Sequence, residues 1–195
     1  MAVLSREQFD AIEFDAVRSG DHAAAAELMN QLAATGTETS GMPRAEAYLR
    51  AGEQYLLADD PAAAAGGFRR AMVAGGPVFV DPRVPLARAL FQLGRQAEAQ
   101  ALITQLKAEG PQDPRVCDLV AELLVDRSDL PSALDWATAG VELCLDRPSQ
   151  SGEAPSGPAQ PEGGDQDSEL RLLLSLRYRI RNDLGLPEDR YDAML

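Results

Sequence analysis

Apolar side chains in this chain fall on helical stripes separated by short polar breaks. Phe9, Ile12 and Ala16 share one face of a helix that Ser5 and Gln8 open in a capping-box arrangement and Gly20-Asp21 ends. An alanine-rich helix follows from about His22 to Ala34 and stops at Gly36. Tyr48, Leu49, Gly52, Tyr55 and Leu56 make the next stripe, which ends at Asp59-Asp60-Pro61. Asp60 suits the N-cap and Pro61 the first helical position, where an amide hydrogen would be unpaired in any case. The helix so opened carries Ala64, Phe68 and Ala71 and ends at Gly75-Gly76-Pro77. Asp81-Pro82 and Asp113-Pro114 repeat the device, the first before Leu86, Ala87 and Leu90, the second before Cys117, Val120, Ala121 and Leu124. Gly94-Arg95 and Ser128-Asp129 break these helices. Partner helices with Ala99, Ile103 and Leu106, and with Ala133, Ala137 and Gly140, follow.

The small residue one turn into each second helix recurs as Ala25, Ala64, Ala99 and Ala133, at intervals of 39, 35 and 34 residues. A period in the mid-thirties with a turn at its middle marks a solenoid of helical hairpins. One hairpin cannot bury its own apolar face, and small residues at the crossings let neighbours nest.

These residues resemble the tetratricopeptide repeat family. Tyr48-x-x-Ala51-Gly52-x-x-Tyr55 is similar to its first-helix signature and Ala64-x-x-x-Phe68-x-x-Ala71 to its second. Leu86-Ala87-x-x-Leu90 with Gly94, Ala99 and Pro111 matches the next copy, while Glu13 stands where the first would have a small residue. The resemblance spans roughly residues 6 to 147. It implies an all-α fold, a right-handed α-α superhelix of about four hairpins over residues 1–147 with a C-terminal capping helix, and a protein-binding role rather than catalysis.

Residues 148–167 are rich in Ser, Gly, Pro, Gln, Glu and Asp and hold no large hydrophobe, the composition of a flexible linker. The C-terminal region, residues 168–195, opens on Ser168 as a cap for a helix from Glu169 to about Leu184, stopped by Gly185 and Pro187. Leu170, Leu173, Leu174, Ile180 and Leu184 form its apolar stripe. Arg171, Arg177, Arg179 and Arg181 line the remainder. This helix is expected to cap the open end of the array, with Arg171, Arg177 and Arg181 as docking groups if it instead reads a partner. The acidic tail from Pro187 carries no assigned role.

The formal net charge of -13 disfavours nucleic acid and anionic membrane as partners and favours basic or amphipathic ones. Lys107 is the only lysine, so the basic residues are nearly all arginine, as expected from a GC-rich bacterial genome. Cys117 and Cys144 lie among apolar residues and read as reduced, buried side chains. The N-terminus has no basic region followed by a long apolar run, and no stretch approaches a membrane span, so a cytoplasmic protein is expected. One histidine, His22, sits at a turn without a nucleophile or orienting carboxylate at recognisable spacing. No catalytic, cofactor-binding or metal site emerges.

In the family resembled, first helices line a concave groove. Carried over, that groove takes Glu7, Asp10, Phe14, Val17 and Arg18 from the first hairpin and Glu46, Leu49, Glu53, Leu56 and Leu57 from the second. It takes Asp81, Val84, Arg88, Phe91 and Gln92 from the third and Arg115, Asp118, Glu122, Val125 and Asp126 from the fourth. Acids mixed with large apolar side chains suit a basic, amphipathic protein segment. Family members that grip a C-terminal carboxylate use Lys, Arg and Asn on these helices. Here Phe14, Glu53, Arg88 and Glu122 stand in the asparagine's places, which argues against that mode. The leading expectation is an adaptor or scaffold. The competing one is a self-associating homo-oligomer whose groove holds its own C-terminal helix.

Overall fold

The computed structural model describes residues 3–39, 41–147 and 165–195, and every regular element among them is helical. The elements are α1 (Arg6–Ser19), α2 (His22–Thr35), α3 (Arg44–Leu57), α4 (Pro61–Ala74), α5 (Arg83–Gln92), α6 (Gln96–Glu109), α7 (Pro114–Asp126), α8 (Leu130–Asp146), α9 (Asp165–Asp183) and a short 3-10 turn, Asp192–Met194. They fall into two units, Met1–Ala108 and Glu109–Leu195.

In the first unit, short polar side chains start the helices. Ser5 Oγ accepts the Gln8 amide hydrogen at 3.3 Å, and Asp21 and Asp60 carboxylates accept those of Ala24 and Ala63 at 3.0 and 2.9 Å. Each of α1 to α4 packs on the helix that follows it, the nearest-neighbour pattern of a helical repeat. Ala25, Ala64 and Ala99 are buried at the positions the period singled out. Leu4, Phe9, Met29, Ala33, Met42, Ala47 and Ala51 form one apolar cluster. Leu4 reaches it because its amide donates to Thr37 O at 2.8 Å while its carbonyl accepts from Thr39 Oγ1 at 2.9 Å. α3 and α4 approach closely: a Cβ built on Gly52 would lie 2.4 Å from the Phe68 ring.

The second unit is the α7–α8 pair covered by α9. Asp113 accepts the Arg115 amide at 3.0 Å and Asp129 that of Ser132 at 3.3 Å, opening α7 and α8. Gly140 admits α9, since a Cβ there would meet Leu173 at 2.7 Å and Cys117 at 2.9 Å. Val141, Leu173, Leu174 and Tyr191 close this core. Two expectations change here. The last helix begins at Asp165, before the expected Ser168 cap, and Asp167 in its first turn suits the positive end of a helix dipole. The part of the expected linker at 148–164 lies outside the described residues. The tail, given no role by the sequence, is built into this unit through buried Tyr191 and through Asp192, whose side chain is enclosed.

Candidate functional site

Within the first unit, α1, α3 and α5 share one concave face. An open cavity of about 470 Å³ on it is lined by Glu13, Glu53, Gln54, Leu56, Leu57, Arg88 and Gln92. Glu53, Leu56, Leu57, Arg88 and Gln92 are therefore brought together as the sequence placed them. Leu57 is 61% exposed and Leu56 half-buried, so apolar surface lies open beside the carboxylates. Phe14 is exposed on α1, and Arg18 is exposed and paired with Asp15 at 3.0 Å. Phe91 is half-buried.

Leu49 and Val84 are exceptions, 1% and 4% exposed, and belong to the core. At 100° per residue, Glu46, Arg50, Glu53 and Leu57 form a narrow strip along α3, and Leu49 falls about 70° from its centre. α3 packs against both α2 and α4, and Leu49 lies on its buried side.

A cluster of charges supports the strip. Arg50 donates from Nε to Glu13 Oε1 and from Nη2 to Asp10 Oδ1, both at 2.7 Å, above the Phe9 ring at 5.7 Å. Burial would lower the pKa of this guanidinium, but its bonds to Glu13 and Asp10 outweigh that and raise it. Glu46 is occupied too, accepting the Phe79 amide hydrogen at 2.8 Å. Glu53 differs from both, because no described residue donates a hydrogen bond to it. Its side chain is reachable by water yet enclosed by the concave face. That enclosure first, and then the Glu46 and Glu13 carboxylates, push its carboxyl up to about 7. The arrangement leaves one carboxyl without a hydrogen-bond donor among the described residues, within reach of the Arg50 charge and beside exposed leucine.

The raised value has a consequence for stability. An acid whose folded pKa lies above its unfolded one stabilises the fold when protonated, and that contribution is lost as pH rises from about 4.5 through 7. Glu53→Gln is expected to raise the urea midpoint near pH 8 and leave it unchanged near pH 4, by a small amount because solvent screens the site.

The sequence did not mark Glu13, Arg50 or Gln54 as part of this face. Gln54 is held there by His22, whose Nδ1 lies 2.9 Å from Gln54 Oε1. The lone histidine thus serves a turn-packing contact.

In the second unit, α7 presents Glu122, exposed, and Val125, half-buried. Burial, then Glu122 and Glu169, push Asp118 up to about 6, so acids crowd here as well. The arginines expected to dock are placed unequally. Arg171 is exposed. Arg177 is 4% exposed, donating to Thr138 Oγ1 at 3.0 Å and pairing with Asp189 and with Asp192 at 3.3 Å. Arg181 pairs with the same two carboxylates at 2.9 and 3.0 Å. Arg177 and Arg181 are thus engaged inside the unit, a correction to their reading as docking groups, because the acidic tail folds back on them.

Cys117 is a buried thiol pushed up to about 12 by burial, hence unreactive, and Cys144 is only half-buried. Among the described residues no group of three or more His, Cys, Asp or Glu is arranged to hold a metal, and no helix is long and apolar enough to cross a membrane.

A tetratricopeptide repeat family model matches residues 55–123, from the end of α3 into α7. No curated protein and no solved structure matches the chain.

Proposed function

We propose, taking residues 55–123 as tetratricopeptide repeat sequence, that this protein is an adaptor whose first unit binds a basic, amphipathic protein segment. Repeats of this family generally mediate protein–protein interaction and are typically non-enzymatic. The observation that carries the finer reading is the open cavity where Glu53, without a hydrogen-bond donor among the described residues, adjoins Leu56 and exposed Leu57. A segment presenting arginine or lysine next to leucine-sized side chains pairs the first and covers the second. Arg50, already held by Glu13 and Asp10, keeps the rim rigid rather than competing for Glu53.

The test is a fluorescence titration with an arginine–leucine peptide patterned as an amphipathic helix, beside its glutamate-for-arginine counterpart. The wild-type chain is expected to bind the basic peptide only. Glu53→Arg combined with Leu57→Asp is expected to weaken binding on the order of tenfold or more, since it reverses one charge and places another against apolar surface. Both residues face solvent, so helicity should be unchanged. Equal affinity of wild type and variant for the basic peptide contradicts the reading.

A further inference from the structure

Helix α9 has a second face that the second unit does not use. Leu173, Leu174, Leu176, Arg177 and Ile180 point into the unit, whereas Arg171, Leu172, Ser175, Tyr178 and Arg179 form a contiguous outward arc. Leu172 is 62% exposed. Among the described residues neither Arg171 nor Arg179 has an acidic partner, in a chain of net charge -13. This face is a basic and apolar strip about 12 Å long, and the open strip of α3 from Glu46 to Leu57 is about 16 Å long and acidic and apolar.

We infer that a second copy of this chain is one occupant of the groove, docked through the outward face of its α9, with Arg171 and Arg179 beside Leu172 and Tyr178. The inference rests on the reading of the α1–α3–α5 face as a docking surface and names a partner for it. Charge complementarity selects this partner: the carboxylate that lacks a donor is on one surface and the guanidiniums that lack acids are on the other. The cation lining the cavity, Arg88, finds a counterpart in Asp183, exposed one turn beyond Arg179. Whole-molecule repulsion opposes the contact at low ionic strength. Near physiological salt it is screened beyond about 8 Å, while charges in contact still attract.

Sedimentation velocity of the full chain over a wide concentration range, near physiological salt, tests this. Wild type is expected to associate as concentration rises. Arg171→Glu with Arg179→Glu, or Glu53→Arg alone, is expected to weaken association at least about tenfold. Mixing these two variants is expected to restore it, because each then offers the other a complementary pair of surfaces. All three substitutions are on exposed side chains, and unchanged far-ultraviolet dichroism checks the fold. A wild type that stays monomeric, or association that neither reversal weakens, overturns the inference. A monomer that still binds the basic peptide leaves the groove reading standing, and a monomer that does not overturns both.

Discussion

Replacing Arg177 by alanine is expected to cost the second unit about 3 kcal/mol, at the lower end of what removing one partner of a buried ion pair costs. Asp192, with a side chain only 4% exposed, would remain buried with one of its two guanidiniums gone, and Thr138 would lose its donor. The Tyr191 ring, 4.7 Å from the same guanidinium, would lose one of its two cations, Arg190 remaining at 4.5 Å. Arg181 still reaches both tail carboxylates, which keeps the loss from the top of the range. Trp136, the single tryptophan and buried on α8, reports this unit by its fluorescence. Its denaturant midpoint should fall sharply in Arg177→Ala. The acid limb should change too. The hydrogen bonds from Arg177 hold the Asp189 carboxyl down at about 2. A depressed folded pKa gives stability that is present above the ordinary value of 3.8 and lost as pH falls through about 2, and the variant should lack that step. An unchanged midpoint would show that the tail does not hold α9.

Removing the Phe68 ring should be as damaging to the first unit, at roughly 3–5 kcal/mol for a fully buried phenylalanine. More informative is its coupling to Gly52. Alanine at position 52 gains about 1 kcal/mol in helix propensity. It also drives a methyl against a rigid ring 2.4 Å away, with Gly67 pressed on the backbone behind it. Overpacking of that kind costs about 1–3 kcal/mol, so the single variant should be destabilised. Where Phe68→Ala has already removed the ring, the same Gly52→Ala should become neutral or stabilising. Urea unfolding of the four proteins, followed by hydrogen exchange of α3 amides, gives the cycle. Additive effects would contradict the close approach.

What the sequence revealed depended on whether the information was local. Caps are local, and Ser5, Asp60 and Asp113 each accept from the helix they were expected to open. The repeat is nearly local, and Ala25, Ala64, Ala99 and Ala133 are all buried. The side chains that line the cavity were legible in part because the helical period orients them, but which of their neighbours stay open was not. Leu49 was lost to the core once α2 and α4 flanked α3. The charge cluster and the tail were not legible, since they join residues far apart in sequence. Glu13 and Arg50 are separated by 37 positions and Tyr191 reaches Glu142 across 49. No periodicity encodes such pairs. The surplus of acids in the tail, opposite arginines on the preceding helix, was the one available hint.

The most direct test of the groove is a map of backbone amide shifts when the arginine–leucine peptide is added to the isotopically labelled full chain. The account predicts saturable shifts concentrated at Glu53 to Leu57 on α3 and at the facing residues of α1 and α5, abolished by Glu53→Arg with Leu57→Asp. Shifts confined to other surfaces, or shifts that survive the double substitution, would contradict it.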